Sequence, residues 1–181
     1  MKYEVIDNFL DKENFDNLVT LITDKGRTEG SVYAGEANMP WFFQPTFTVH
    51  DRNSLPNDKL FYMTHNFYDH NVPTSHFYDK LFPLLEKLEV RGLLRIKANL
   101  YPFTETFYEH PMHTDYPFSH SGALFSLNTC DGYTKLKDGT KIDSVANRML
   151  LFDPGEEHCS TTTTNVSARI NINMNYLQER T

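Results

Sequence analysis

The C-terminal half of the chain repeats apolar and polar residues with a period of two, the pattern of half-buried β-strands. Two Asp-Gly pairs lie between such segments in the stretch DGYTKLKDGTK (131–141) and favour tight turns. The sequence therefore predicts antiparallel strands joined by short turns. The strand candidates are 94–101 (LRIKANLY), 122–128 (GALFSLN), 147–153 (NRMLLFD) and 168–177 (ARININMNYL).

Helical spacing of apolar residues is found mainly in the N-terminal half. Asp11 can cap a first helix that ends near Gly26, with Phe15, Leu18, Val19 and Ile22 on its apolar side. A second helical segment is predicted from Asn57 to about Val90, with a kink at Pro83. The glycine- and proline-containing stretch between them, residues 30–56, predicts loops and short strands.

Helices that precede strands, rather than alternate with them, predict a mainly β, α+β fold or a helix-supported barrel. A chain of 181 residues is long enough to bury one core. No repeat or linker interrupts the sequence, so we expect a single domain over 1–181. Helical support is expected mainly in 1–92 and the barrel mainly in 93–178.

Composition and charge narrow the function classes. The net charge is −7, and the 17 lysines and arginines are scattered, which disfavours a nucleic-acid partner. The first residues, MKYEVIDNFL, lack the basic and long apolar regions of a secretory signal, and no apolar run is long enough to cross a bilayer. Two unpatterned cysteines favour a reducing compartment. We therefore expect a cytoplasmic protein without membrane attachment; its oligomeric state stays open.

The last predicted strand has an unusual polar face. Arg169, Asn171, Asn173 and Asn175 alternate with apolar residues, although asparagine is a poor strand former. The polar face either meets water or lines the inside of a small barrel, where amides can bond a polar ligand. Segment 94–101 has the same arrangement, with Asn99 and Tyr101 on its polar face.

Three residues could bind a metal ion. His113 and Asp115 are two positions apart, so in a strand they project to the same face. The pair alone does not decide between a metal site and a polar loop, but His158, about 45 residues on, could return to the same place. Two imidazoles and one carboxylate form the facial arrangement of non-haem Fe(II) oxygenases, which leaves positions open for oxygen and a chelating co-substrate. His110, His120 and Cys159 are weaker ligand candidates.

Arg169 could complete such a site. A planar guanidinium pairs bidentately with a carboxylate and could hold the far end of a dicarboxylate whose near end chelates the metal. Its alternative is an ordinary surface arginine.

The order of these motifs resembles that of the 2-oxoglutarate and Fe(II)-dependent dioxygenases, in particular the prolyl 4-hydroxylase-like branch. The segment 5–22 (VIDNFLDKENFDNLVTLI) also resembles the lead-in of that branch. The matching positions are Tyr101-Pro102, His113-Thr114-Asp115, Leu127-Asn128, Arg148 to Phe152 with Asp153, His158 and Arg169.

The resemblance implies a double-stranded β-helix, a jelly roll of the cupin type with N-terminal helices packed on its major sheet. It also implies that His113, Asp115 and His158 bind Fe(II), while Arg169 and Tyr101 bind the distal carboxylate of 2-oxoglutarate. The chain departs from the family pattern at Ser126, where many relatives have tyrosine, and at Asn173, where threonine is common. We expect both to face the co-substrate. The stretch 131–134 (DGYT) also replaces a common Gly-Gly pair.

The implied activity is hydroxylation coupled to conversion of 2-oxoglutarate and O2 into succinate and CO2, with ascorbate as a candidate reductant. The substrate would be a protein side chain, such as a prolyl residue, or a small molecule. The alternative is a non-catalytic cupin-like barrel that binds a metal or ligand. Residues 31–47 and 116–121 are expected to form the rim of the pocket.

Overall fold

The computed structural model describes residues 2–23, 39–45 and 61–178. Two α-helices, α1 (Lys12–Thr23) and α2 (Phe82–Lys87), occur in this part of the chain, and a 3-10 turn (Tyr78–Leu81) leads into the second. The strands are β1 (Glu4–Ile6), β2 (Phe42–Gln44), β3 (Tyr62–Asp69), β4 (Val72–Pro73), β5 (Gly92–Pro102), β6 (Ser121–Ser126), β7 (Tyr133–Leu136), β8 (Lys141–Asp143), β9 (Arg148–Phe152), β10 (His158–Cys159) and β11 (Ala168–Leu177).

The larger of two sheets has the order β1-β9-β6-β11-β5-β3-β2, with β4 paired to the outer part of β3. All of its described pairings are antiparallel. The last strand, β11, lies at the centre between β5 and β6. Chain-distant strands are thus neighbours, as in a jelly roll.

The smaller sheet has the order β10-β7-β8 and is extended on its β10 side by two isolated antiparallel bridges, Glu109 to Thr161 and His113 to His158. Side chains of both sheets line one cavity, so the sheets face each other across it. This is the double-stranded β-helix that the resemblance implied.

The main apolar core lies on the outer face of the larger sheet. The even positions Ile170, Ile172, Met174 and Tyr176 of β11 are buried there. They belong to one cluster with residues of α1 and α2, including Leu18, Ile22 and Leu84. The prediction that helices pack on the major sheet is therefore confirmed.

The first helix begins as its sequence indicates. Asp11 accepts a hydrogen bond from the backbone N–H of Asn14 at 2.9 Å, which caps the helix one residue before Lys12. The helix is described as far as Thr23, and the predicted end near Gly26 lies outside the described residues.

The predicted helix from Asn57 to about Val90 is wrong over most of its described part, because Tyr62–Asp69 is a strand paired with β5. The pairing register shifts between Asn66 and Tyr68. Such a bulge moves side chains to the other face and breaks the alternation by which a strand is recognised. Within the described part of this segment, from residue 61 onward, only the end is helical, and Pro83 lies in the first turn of α2, where it does not cause a kink.

No helix in the described ranges is long and apolar enough to cross a membrane.

Phe125 should be essential for stability because it is fully buried in the core that joins β6 to α1, with Phe15 edge-on at 6.1 Å. We expect Phe125→Ala to lower the free energy of unfolding by about 3–5 kcal/mol, measured by urea denaturation. Phe103→Ala is the matched control; with Phe103 half-exposed, it should cost less than about 1 kcal/mol. Equal costs for the two variants would contradict this assignment of the core.

Candidate metal centre and its cavity

A short backbone pairing brings the two histidines of the candidate site together. His113 and His158 exchange two backbone N–H···O hydrogen bonds of 2.9 Å each, and their ring centroids are 4.6 Å apart. Directly opposed residues of an antiparallel pair present their side chains on the same face. This one bridge therefore places the two imidazoles side by side, although the histidines are 45 positions apart in the sequence.

Asp115 completes the group. Its backbone N–H donates to the carbonyl oxygen of Pro154 at 2.9 Å, which fixes the chain two residues beyond His113. One ligand atom from each of His113, Asp115 and His158 lies within 4.8 Å of the other two. The structure therefore brings together the three residues that the sequence indicated.

Hydrogen bonds prepare both imidazoles for a metal. Nδ1 of His158 lies 3.0 Å from the carbonyl oxygen of Glu156, and Nδ1 of His113 lies 3.3 Å from that of Pro111. A carbonyl can only accept, so Nδ1 carries the proton and Nε2 keeps its lone pair for a metal. Burial lowers the pKa of both rings, to about 4 for His113, which keeps them neutral.

The carboxylate of Asp115 is held at both oxygens. Oδ1 accepts from Arg95 Nη2 at 3.1 Å, and Oδ2 accepts from Asn173 Nδ2 at 2.9 Å. Burial alone would raise the pKa of Asp115, but the nearby cations Lys97 and Arg95 outweigh it, and the net pKa is lowered. Asp115 is therefore ionised as well as oriented.

The group lies in a cavity of about 700 Å³ between the two sheets. Polar residues of β5 and β11 form its floor, including Asn99, Tyr101, Asn171 and Asn173. Arg169, Asn171, Asn173 and Asn175 are all at least nine-tenths buried. Of the two interpretations of the polar face of β11, exposure to water is therefore wrong, and the barrel interior is confirmed.

Arg169 is buried beside the cavity, in contact with two residues that line it, Thr134 and Ser160. Its guanidinium donates to Thr134 Oγ1 at 3.0 Å and to Ser160 Oγ, and it lies 5.5 Å from the ring of Tyr101. A Cβ at Gly132 would come within 2.6 Å of Arg169 Cδ, so only glycine leaves room for this side chain. Arg169 is 1% exposed, which rules out an ordinary surface arginine.

The other residues predicted to bind the co-substrate differ in whether they line the cavity. Tyr101 lines the cavity, and burial raises its pKa, so its hydroxyl stays protonated. Asn173 also lines the cavity, with its amide bound to Asp115. Ser126 is paired with Asn171 and is buried, but it is not among the described residues that line the cavity. Its contact with a co-substrate stays a prediction.

Buried polar atoms without a described partner indicate that a polar ligand belongs in this cavity. The amide of Asn99 donates to Asn171 Oδ1 at 2.9 Å, which leaves Asn99 Oδ1 and Asn171 Nδ2 without partners in the described chain. Nε of Arg169 likewise has no hydrogen-bond partner in the described chain. Such atoms are costly unless they are hydrogen-bonded, and an oxygen-rich ligand in the cavity would satisfy them.

The weaker ligand candidates are outside the three-residue group. His110 lines the cavity beside Tyr101, with ring centroids 5.2 Å apart. His120 bonds Asn175 Oδ1 through Nε2 at 2.7 Å. Cys159 lines the cavity next to His158, and burial raises the pKa of its thiol.

The predicted rim is described only in part. Tyr116 and Pro117 line the cavity, in agreement with a rim at 116–121. Of the other predicted rim segment, 31–47, only 39–45 falls within the described residues, and Trp41 in that part packs against the main core.

Several cavity residues were not predicted from the sequence, among them Arg95, Lys97 and Tyr62. Arg95 and Lys97 stand on the same polar face as Asn99 and Tyr101, so the alternation could have identified them. Tyr62 stacks on Tyr101 with ring centroids 5.7 Å apart. It was missed because its strand was predicted as a helix.

Neither a protein-family model nor a curated protein matches the chain by sequence. Solved structures do match it by fold. A prolyl-4-hydroxylase from Pseudomonas putida aligns with a TM-score of 0.59 at 14% identity, covering 98% of this chain and 92% of that one. A 2OG-Fe(II) oxygenase family oxidoreductase from Burkholderia pseudomallei gives 0.65 at 10% identity, with coverages of 98% and 86%.

A Trichoplax adhaerens prolyl hydroxylase, solved with a hypoxia inducible factor oxygen degradation domain peptide fragment, gives a TM-score of 0.64 at 16% identity, covering 97% and 83%. The fold is that of the 2-oxoglutarate and Fe(II)-dependent oxygenases. The resemblance found in the sequence is thus confirmed at the level of the fold.

Asn173 should act as a positioning residue for Asp115, the carboxylate of the candidate metal group. We expect Asn173→Ala to weaken binding of Fe(II) or Mn(II) by about tenfold or more, because one carboxylate oxygen loses its orienting hydrogen bond. Asn171→Ala is the matched control on the same face of β11, since its amide contacts Asn99 and not Asp115. Anaerobic calorimetry measures both; identical affinities would exclude a positioning role.

Buried His110 should make the stability of the metal-free protein depend on pH. Burial, Arg169 and His113 lower its pKa from the usual 6.5 to about 3. Between pH 6.5 and 5, His110 therefore becomes protonated in the unfolded chain but stays neutral in the folded protein. The free energy of unfolding consequently falls as the pH falls. We expect His110→Phe to reduce that loss by about 1–2 kcal/mol. Urea unfolding at both pH values measures this difference, and parallel losses would contradict it.

Proposed function

We propose that the protein is a 2-oxoglutarate and Fe(II)-dependent oxygenase that hydroxylates a protein side chain or a small molecule. The observation that carries the proposal is a facial His-Asp-His group in a cavity, with a buried arginine bonded to two residues of the cavity lining. The fold supports this reading because solved structures of this class share it.

The donor set fits ferrous iron. His113 and His158 would bind it through Nε2 and Asp115 through a carboxylate oxygen, the three-ligand arrangement typical of non-haem Fe(II) oxygenases. Arg95 and Asn173 would keep that carboxylate in place. When bound, the iron supplies activation of O2, with 2-oxoglutarate as the two-electron donor that becomes succinate and CO2.

The cavity also fits 2-oxoglutarate. Arg169 would pair with its distal carboxylate, and Thr134 and Ser160, which already contact the guanidinium, would orient that cation. Tyr101 holds its proton at Oη and can donate a hydrogen bond to the same carboxylate. The unpartnered Asn171 Nδ2 is a further donor on the floor. Ser126 and Asn173 remain proposed co-substrate neighbours.

A non-catalytic cupin-like barrel is the second candidate, because the fold alone does not determine function. A structural zinc site commonly fills four positions with cysteine and histidine. The group found here has three members, and none is a cysteine. The buried arginine would also have no role in such a module, so these features favour the oxygenase.

We further infer an intracellular, cytoplasmic protein, with both cysteines, Cys130 and Cys159, free and buried. Ascorbate would act only as an external reductant of the iron. The substrate class is proposed on the analogy that one structural neighbour was solved with a peptide.

The function is tested by anaerobic titration of the metal-free protein with Fe(II) and 2-oxoglutarate, followed by the visible charge-transfer band of the chelated keto acid. The band should be lost in His113→Ala. It should require at least about tenfold more 2-oxoglutarate in Arg169→Ala, because a charge-assisted pair is lost. Lys137→Met, an exposed cation that is not among the residues lining the cavity, is the control and should match the wild type.

A second measurement separates the two candidates. On admission of O2, the oxygenase should release succinate from 2-oxoglutarate, whereas a binding module should not. Metal binding without either the band or succinate would establish the non-catalytic barrel instead.

A further inference from the structure

We propose that Arg95 and Lys97 form an anion-binding subsite beside the metal centre, and that the substrate carries a carboxylate or phosphate group close to the carbon that is oxidised. This inference rests on the proposed function and names the substrate class. It concerns a part of the cavity that neither the metal ligands nor Arg169 occupies.

The two cations stand on the inner face of β5. They are two residues apart, and both line the cavity. Lys97 is directly opposite Asn173 of β11, and Arg95 is opposite Asn175. Because Arg95 donates to the metal ligand Asp115 at 3.1 Å, the subsite adjoins the metal. An anion bound there would place its neighbouring carbon atoms next to the oxidising centre.

The cations retain unused binding capacity. The Lys97 ammonium makes no hydrogen bond or ion pair within the described chain; its one described contact is the ring of Tyr62, 6.0 Å away. Arg95 uses one Nη on Asp115, and its buried Nε has no described partner. A partly buried charge is costly unless a counter-ion is present. The free donors of both side chains would therefore be satisfied by an anionic ligand.

Asp115 accounts for only part of the charge of Lys97, which lowers the pKa of that carboxyl from a distance without forming an ion pair with it. Arg95 already forms the ion pair with that carboxylate, and Lys97 lies beyond 4.0 Å from it. The other carboxylate that lines the cavity, Glu157, forms no ion pair with Lys97 either. After 2-oxoglutarate is matched by the metal and Arg169, Lys97 still has no carboxylate in direct contact within the described chain, since Asp115 and Asp69 act on it only from a distance. The chain as a whole carries −7, so these cavity cations run against its overall charge.

Aromatic rings would form the walls of the subsite. Arg95 lies 5.3 Å from the ring of Tyr116, and Tyr62 lies between Lys97 and Tyr101. Stacking on tyrosine restrains long cationic side chains. The subsite therefore fits a small, planar or tetrahedral anionic group better than a long flexible chain of charges.

The test compares acids with neutral counterparts on protein loaded with Fe(II) and saturating 2-oxoglutarate, without O2. The probes are N-acetylaspartate against N-acetylasparagine, phosphoserine against serine, and a peptide with one central aspartate against its asparagine twin. Calorimetry gives each affinity for the wild type and Lys97→Met, with Lys137→Met as the control. Arg95 is left in place because it also holds Asp115.

In at least one pair, we expect the wild type and Lys137→Met to bind the acid at least about tenfold more tightly than the neutral compound, and Lys97→Met to lose this preference. A preference confined to the peptide would identify a protein side chain as the source of the anion, and one confined to the free acids a small molecule. No preference in any pair, or a preference retained in Lys97→Met, overturns the subsite.

A second readout separates this inference from the function. Inorganic phosphate is titrated into the metal-free protein and followed by the width of its phosphorus resonance. If phosphate broadens this resonance in the wild type but not in Lys97→Met, the subsite is supported even if no keto-acid band forms with iron. A band and succinate release, without phosphate binding or acid preference, would retain the oxygenase and reject the subsite.

Discussion

The two faces of the central strand, β11, determine both the stability of the fold and the position of the site. Its even side chains are buried among the helices and form the core, while two of its odd side chains, Asn171 and Asn173, form part of the floor of the cavity. Side chains of a strand alternate strictly, so a shift of one residue would place asparagines in the core and methionine in the cavity. The ten-residue pairing with β5 and the pairing with β6 keep that register.

The candidate metal ligands come from the opposite side, where regular structure is sparse. His113 and His158 are joined by a single bridge, and Asp115 is fixed by one backbone hydrogen bond to Pro154. The rigid sheet compensates for this. Arg95 of β5 and Asn173 of β11 reach across the cavity to the two oxygens of Asp115. The geometry of the ligand set is therefore determined by contacts between both sheets, which explains why local sequence around the His-x-Asp pair says little by itself.

The sequence predicted the structure well where a regular pattern of apolar and polar residues, or a fixed order of motif residues, was present. The alternation in 168–177 predicted both faces of β11, and the order of His113, Asp115, His158 and Arg169 predicted the residues that gather around the cavity. It failed at Tyr62–Asp69, where a bulge interrupts the alternation. The alternation places Arg95 and Lys97 on the polar face of their strand, but only the pairing of β5 with β11 shows that this face is turned toward the candidate metal group. Ser126 is the opposite case. It is paired with the cavity residue Asn171, yet it is not among the described residues that line the cavity.

Charge explains why the cavity is polar throughout. An ionised, buried Asp115 needs cations nearby, and Arg95 and Lys97 supply the field that lowers its pKa despite burial. Those cations must themselves be desolvated, and for Lys97 the same burial lowers the pKa to about 8. One carboxylate cannot balance two cations and a divalent metal, so a cavity built to hold Asp115 in its charged form carries an excess of positive charge. Anionic ligands would restore the balance. In the proposed function, 2-oxoglutarate would match the charge of Arg169, and the positive charge on β5 would be left for a second anion.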